Sequence, residues 1–305
     1  MNRAMCAILL SVVLAAAQTA EEQVITVDVD LVNIYFSVCN RKGKLISDLD
    51  RESFTIFEDG KQQSITNFSR ETDVPLTVAM LIDTSGSVRD KLRFEQEAAI
   101  QFLYTTIRRG RDKAAVFTFD TSIDLQQDYT DDPVLLAKAV RRTRAGGGTR
   151  LYDALHHAVI EKLAGPDERK VIILITDGDD NSSRTSAQEV LDAAQRNSVS
   201  IYTISMNALG LRLGDTTRGD WILDKFATET GGKAFFPIKL KDFSEYFKRI
   251  STELRSQYTI AYRSTNPKKD GTFRKVRIDV KNMHYSVRAR SGYYAPHQVA
   301  VRRNP

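Results

Sequence analysis

Five side chains with hard oxygen donors stand at three places in this 305-residue sequence. Asp83, Ser85 and Ser87 occupy alternate positions of Asp83-Thr84-Ser85-Gly86-Ser87, so a turn made sharp by Gly86 aims three oxygens at one point. Thr149 follows Gly146-Gly147-Gly148, where the absence of Cβ atoms lets the backbone come close to a ligand. Asp177 opens the acidic run Asp177-Gly178-Asp179-Asp180. Hydroxyls and carboxylates in one shell suit a hard cation such as Mg²⁺, which takes near-octahedral oxygen at about 2.0–2.1 Å and tends to retain water. Each fragment alone also reads as a turn or a helix cap, because Ser and Asp favour both. The three together, each in the right kind of element, argue for a site.

Those elements are legible as alternating apolar runs and amphipathic stretches between Pro75 and about Arg249. Leu76–Ile82, Lys113–Phe119, Val171–Thr176 and Ser200–Ser205 read as buried strands. Helices are predicted over Arg89–Ile107, Pro133–Arg142, Leu151–Leu163, Ser186–Arg196, Trp221–Thr230 and Asp242–Leu254. This alternation predicts a parallel sheet covered on both faces, in which ligands collect beyond the carboxyl ends of the strands where strand order reverses. Asp83 and Asp177 each follow a predicted strand, and Thr149 precedes a predicted helix.

Both flanks read as β. Val24–Val38 alternates with a phase change at Leu31 and Val32 that suggests a bulge; Ser53–Glu58, the Asp59-Gly60 turn and Gln62–Phe68 then continue a meander of about four strands. Alternation returns at Tyr258, Ile260 and Tyr262, at Val276, Ile278 and Val280, and at Tyr285, Val287 and Ala289. Neither flank is long enough to bury a face alone, so the economical arrangement joins them in one small β-sandwich with the α/β domain inserted. The expected division is a signal peptide over 1–20, an N-terminal β segment over 21–73, the α/β domain over 74–254 and a basic β segment over 255–305.

The Asp83, Ser85, Ser87, Thr149 and Asp177 motifs, in this order and these elements, resemble the metal-ion-dependent adhesion site of von Willebrand factor type A domains. The resemblance covers roughly Val74 to Leu254. It implies a doubly wound, mostly parallel six-stranded sheet with one short antiparallel edge, with Ser85, Ser87 and Thr149 as direct ligands and Asp83 and Asp177 as supporting acids. Phe54-Thr55-Ile56-Phe57-Glu58-Asp59-Gly60 and Ala289-Arg290-Ser291-Gly292-Tyr293-Tyr294 resemble the flanks of exported bacterial proteins of the same group. With hydroxyls supplying the direct bonds, a cation (Mg²⁺, or Mn²⁺ or Ca²⁺) keeps most of its charge and an open position that a partner's Asp or Glu can fill. The expected function is a non-catalytic protein-binding module. A structural subunit of an envelope complex and a metal-assisted phosphohydrolase are the alternatives.

Other enzyme classes fail on particulars. The glycine triplet lacks the following Lys-Ser or Lys-Thr of a P-loop, and Leu151 stands where a dinucleotide fingerprint needs its last glycine. There is no Gly-x-Ser-x-Gly elbow. His156 and His157 are expected to be surface or packing residues, Asp179 and Asp180 a solvated loop, and Asp120 either a rim of the site or a turn acid. Cys39 reads as a small buried residue. The loop from Met206 to Gly219, with Leu209, Leu211 and Leu213, is expected to pack on its own domain.

Arg3, the apolar run Ala7–Ala17 and small residues before Glu21 form a secretory signal pattern. Its removal would leave one cysteine, so the expected product is an exported periplasmic or extracellular protein that folds without an internal disulfide. The chain carries 44 basic and 39 acidic residues. Residues 255–305 hold twelve basic and two acidic ones, a balance of +10. A solvated strand face accounts for this, and attraction to an anionic envelope component is the functional alternative; no nucleic acid partner and no transmembrane segment are expected.

Overall fold

A computed structural model describes residues 31–71, 74–165, 169–207, 217–239 and 242–297. The expected signal peptide, the beginning of the Val24–Val38 strand and the leucines of the 206–219 loop lie outside the described residues. The apolar runs form β5 (Leu76–Asp83), β6 (Lys113–Phe119), β8 (Arg169–Thr176) and β9 (Val199–Ser205), and their nearly unbroken burial is what a two-sided sheet requires. Two further strands complete the sheet: β7 (Ile123–Thr130), antiparallel to β6, and the two-residue β10 (Ala234–Phe235). The order is β10-β9-β8-β5-β6-β7.

The helices are α1 (Leu92–Thr106), α2 (Pro133–Arg142), α3 (Leu151–His157), α4 (Ala187–Arg196), α5 (Arg218–Thr230) and α6 (Asp242–Leu254). Local chemistry sets several starts. Asp132 caps α2 through the Val134 N–H, with Pro133 at the first position. Ser186 with Glu189 and Thr217 with Asp220 form reciprocal capping boxes on α4 and α5. The helix expected over Leu151–Leu163 changes at Ala158 to a wider π turn. One hydrophobic core joins α1, α2 and α6 to one face of the sheet, and a second joins α3, α4 and α5 to the other.

The flanking segments make two four-stranded antiparallel sheets. The strands are β1 (Leu31–Asn40), β2 (Phe54–Glu58), β3 (Lys61–Gln63) and β4 (Ile65–Glu71) before the α/β domain. After it come β11 (Gln257–Arg263), β12 (Phe273–Val280), β13 (Tyr285–Ala289) and β14 (Gly292–Tyr294). The orders are β13-β1-β11-β4 and β14-β12-β2-β3, so each sheet draws strands from both ends of the chain. The expected N-terminal meander is therefore corrected: only β2 and β3 form a hairpin, turning at Asp59 and Gly60 with φ of 46° and 81°. The single strand expected over Gln62–Phe68 breaks at Ser64, where the chain crosses between sheets, because Gln63 turns inward and bonds Thr265. Phe36, Phe54, Phe68 and Tyr258 stack in the core between the sheets.

Candidate metal centre

Strand order reverses between β5 and β8: the chain runs from β5 outward through β6 and β7, then returns to β8 on the other side. Their carboxyl ends face one crevice, and in-register pairing of Ile82 with Ile175 brings Asp83 beside Thr176. Thr176 Oγ1 donates to Asp83 Oδ2 at 2.6 Å, and the Ser85 N–H donates to Asp83 Oδ1 at 2.8 Å. The second bond is an Asx turn, and it swings Ser85 and Ser87 over the strand end. Their hydroxyl oxygens lie 3.0 Å apart, and Ser87 Oγ donates to Asp177 Oδ2 at 2.6 Å. A continuous string of oxygens thus runs from the end of β5 to the end of β8.

Thr149 enters through its backbone. The Gly146 N–H donates to the Thr84 carbonyl at 2.7 Å, and the Gly86 N–H donates to the Gly147 carbonyl at 3.1 Å, which lays the glycine loop along the Thr84–Gly86 turn. Gly147 adopts φ of 90° against the Asp120 and Thr121 side chains, a conformation and a closeness that only glycine meets cheaply. Asn181 then pins Thr149 from the other side: its Oδ1 accepts the Thr149 N–H at 3.0 Å, and its own N–H donates to the Thr149 carbonyl at 3.2 Å. Asn181 was not singled out in the sequence, where a lone Asn after three acidic positions carries no signal.

The acids around the site divide by what they touch. Asp83 is fully buried, and burial pushes its carboxyl up to about 6, against the lowering effect of its bonds from Thr176 and Ser85; Asp177 adds to the rise. Asp179 is also pushed up, by burial and then by Asp177. Asp180 accepts from Ser183 Oγ at 2.6 Å and serves the loop. Asp120 accepts from the Ser122 N–H at 2.8 Å and from Thr121, the behaviour of a turn acid, while its side chain backs Gly147. His157 is exposed and edges Phe117. Cys39, at the end of β1, is half-buried rather than enclosed.

Chemically, the donor set fits a hard divalent cation. Two neighbouring hydroxyls satisfy each other and Asp177, and the buried Asp83 carboxyl stands behind them, held by Thr176 and the Ser85 N–H. Among the described residues, no three His, Cys, Asp or Glu side chains gather in a metal-holding arrangement, so any shell here must use hydroxyls beside Asp83 and Asp177. Asn207 ties this end of the sheet to α5: its amide donates to the Asp177 carbonyl and to Thr217 Oγ1, the latter at 2.9 Å.

A doubly wound six-stranded sheet with hydroxyls and acids over its reversal point defines a class of ligand-binding α/β domain. The chain belongs to the von Willebrand factor type A domain family, whose model matches residues 77–253. It is 27% identical over 254 residues to calcium-activated chloride channel regulator 1 of Bos taurus, covering 78% of this chain and 26% of that protein. It is 25% identical over 185 residues to an uncharacterized protein of Synechocystis, covering 58% of this chain and 42% of that one. The chain therefore spans well under half the length of these relatives. Among solved structures, a von Willebrand factor type A protein from Catenulispora acidiphila shares the fold at 15% identity and TM-score 0.50, over 87% of this chain and 74% of that one. Proximal thread matrix protein 1 of the mussel byssus, with a zinc-occupied MIDAS motif, matches at 17% identity and TM-score 0.52, over 65% of this chain and 49% of that one. Among the described residues, no helix is long and apolar enough to cross a membrane.

Proposed function

We propose that this chain is an exported, non-catalytic protein-binding module that takes up one divalent cation over β5 and β8 and through it engages a carboxylate on a partner. The observation that carries the reading is the oxygen string Ser85, Ser87, Asp177, closed behind by buried Asp83. Ser85, Ser87 and Thr149 would hold the cation directly, with Asp83 and Asp177 as supporting acids. Mg²⁺ is the expected ion, and the zinc-bearing mussel homologue supports a divalent ion in this position of the fold. A bound cation would keep most of its positive charge and offer it at an open coordination position. The chain's own groups do the rest: Thr176 and the Ser85 N–H orient Asp83, Asn181 fixes the Thr149 loop, and Asn207 holds Asp177 against α5. The basic C-terminal flank would favour anionic surroundings in the envelope.

The test is Mn²⁺ binding to the full chain, followed by the loss of the free-ion EPR signal, for the native protein and for Asp83→Ala and Ser87→Ala. About one tightly held ion is expected for the native protein, and none for either variant at the same concentrations. Pull-down from envelope extract should lose its partner when chelator is added. Mn²⁺ uptake unchanged in Asp83→Ala refutes the reading.

A further inference from the structure

Between β13 and β14, in the run Ala289-Arg290-Ser291-Gly292-Tyr293-Tyr294, the fold sets a guanidinium where it provides no acid. The position of Arg290 is tightly fixed. Gly231 ends α5 with φ of 80°, and a Cβ there would lie 2.6 Å from the Arg290 nitrogen; the Ser291 N–H donates to the Glu229 carbonyl at 3.1 Å. From this anchor Arg290 Nη1 donates to Ser198 Oγ at 2.7 Å and Nη2 donates to the Asn33 carbonyl at 2.9 Å, bridging the α4–β9 turn and β1. A guanidinium has five N–H groups, so these two bonds leave donors unspent, and the enclosed Nε has no partner among the described residues.

Other half-buried or buried arginines are compensated. Arg274 has Glu58, Arg288 has Glu253 and Arg255 has Asp112. Arg290 has no such acid among the described residues, and burial, which lowers its proton affinity to about 10, leaves it charged at neutral pH. Arg169 also lacks an acid, but Gln257 and the Tyr35 ring close it off. Arg290 instead lines a cleft of about 330 Å³, partly open to solvent, between β1, the ends of α4 and α5 and the start of β9. None of the lining residues is acidic; Asn33, Ser198 and Ser200 are neutral and polar, and Ala194 and Val199 are apolar. Ser198 holds φ of 54°, a left-handed conformation that glycine or asparagine meets more cheaply, and its hydroxyl is the group that orients the guanidinium.

We propose that this cleft binds a carboxylate, held by the unspent N–H groups of Arg290 with its apolar substituent against Ala194 and Val199. Val199 pairs with Lys170 at the start of β8, so the site lies at the amino end of the sheet, away from Asp177 at the other end. A planar carboxylate matches the fork of a guanidinium. One guanidinium among neutral groups balances one negative charge, whereas a doubly charged phosphate would leave a second charge uncompensated in a partly apolar cleft. A free small acid and the C-terminus of a peptide share this chemistry.

The experiment uses the full chain in chelator and low chloride, so that no cation at Asp83 and Asp177 can capture the acid. Proton–nitrogen NMR follows titration with propionate, acetyl-dialanine, acetyl-dialanine amide and phosphate. Propionate should saturate with a Kd of about 1 mM or tighter and shift the Arg290 Nε–H and the backbone amides of Ser198, Val199 and Ser200. Acetyl-dialanine binding about tenfold more tightly than propionate, with its amide silent, identifies a peptide terminus as the source; equal or weaker binding identifies a free acid. Arg290→Met, which removes the charge and keeps an apolar stem, should weaken propionate about tenfold or more. Ser198→Gly suits the left-handed φ, should unfold at the native temperature or above, and should weaken propionate about threefold, which keeps the inference testable if Arg290→Met does not fold. Native propionate affinity in every variant that folds overturns the inference. So does a native chain that fails to saturate, shows no shifts at Ser198–Ser200, or binds phosphate as tightly as propionate. With chelator present throughout, each of these results is independent of Mn²⁺ uptake and leaves the cation reading as it stands.

Discussion

The aspartate at the base of the sheet, Asp112, offers a measurement whose size follows from geometry. Its side chain is fully enclosed and serves three elements: Oδ1 accepts the Leu76 N–H at 2.9 Å where β5 begins, Oδ2 accepts from the Arg108 side chain at 2.9 Å beyond α1, and Arg255 reaches Oδ2 at 2.5 Å from the junction between α6 and β11. Burial alone would raise its proton affinity, but the two guanidinium groups and the backbone donors outweigh it and hold the carboxyl at about 2. An unfolded aspartate titrates near 3.8. The folded value is the lower one, so this group's stabilisation is complete above about pH 4 and is lost as pH falls from there through about 2. At 1.36 kcal/mol per pH unit the difference corresponds to about 2.4 kcal/mol at neutral pH. Asp112→Asn keeps an acceptor for Leu76 but presents an amide to two cations, at a cost of about 3 kcal/mol, or roughly 6–10 °C in Tm. Urea unfolding of native and variant protein between pH 7 and pH 2 is the assay. The gap between them should be widest above pH 4 and shrink towards pH 2. A gap that stays constant across that range refutes the argument, because it would mean that the charge on Asp112 contributes nothing.

Gly178→Ala should destabilise the fold by about 2 kcal/mol or more and weaken Mn²⁺ uptake, as read by urea unfolding and EPR, because φ is 82° and the new Cβ would lie 2.6 Å from the Gly219 carbonyl. Asp153→Ala should accelerate hydrogen exchange at Arg184 and Thr185, whose N–H groups it accepts at 3.1 and 2.9 Å, and lower Mn²⁺ affinity by a smaller factor than Ser87→Ala, since the loosened segment carries Asn181. Glu58→Gln should cost about 2–4 kcal/mol in urea unfolding, because the buried carboxylate accepts from the Tyr262 and Tyr293 hydroxyls, both at 2.8 Å, beside Arg274.

What the sequence discloses about this protein follows the strength of its periodic signals. The buried parallel strands are mainly apolar runs, and β6, α2 and α6 begin and end where patterning places them. β7, reading Ile-Asp-Leu-Gln-Gln-Asp-Tyr-Thr, escaped because an edge strand with no fully buried position shows almost no apolar face. β10 is too short to carry a period, and β14 spans only Gly292–Tyr294. The sandwich pairings are non-local: β1 joins β11 across more than 200 residues, and no local pattern distinguishes that from a meander. At the candidate site, the chemically distinctive residues were visible while the groups that orient them were not. Thr176, Asn181 and Asn207 are ordinary polar residues until the fold sets them against Asp83, Thr149 and Asp177.

The two ends of the central sheet have been given different work. At the amino end, β8 begins with Arg169, which is buried, bonds Gln257 of β11 and lies over the Tyr35 ring of β1. Glu253, at the end of α6, accepts from Ser37 of β1 at 3.1 Å and from Tyr202 of β9 at 3.0 Å, and pairs with Arg288 of β13. The Glu253 and Gln257 side chains find these partners only while sandwich and sheet stay in one arrangement, so they fix the joint as apolar packing alone would not. At the carboxyl end, the same β8 finishes at Thr176 and delivers Asp177. Eight residues of strand separate the two, on the order of 25 Å. The described strands of the C-terminal β segment are thus tied, through Gln257 and Arg288, to the end of the sheet opposite the oxygen string.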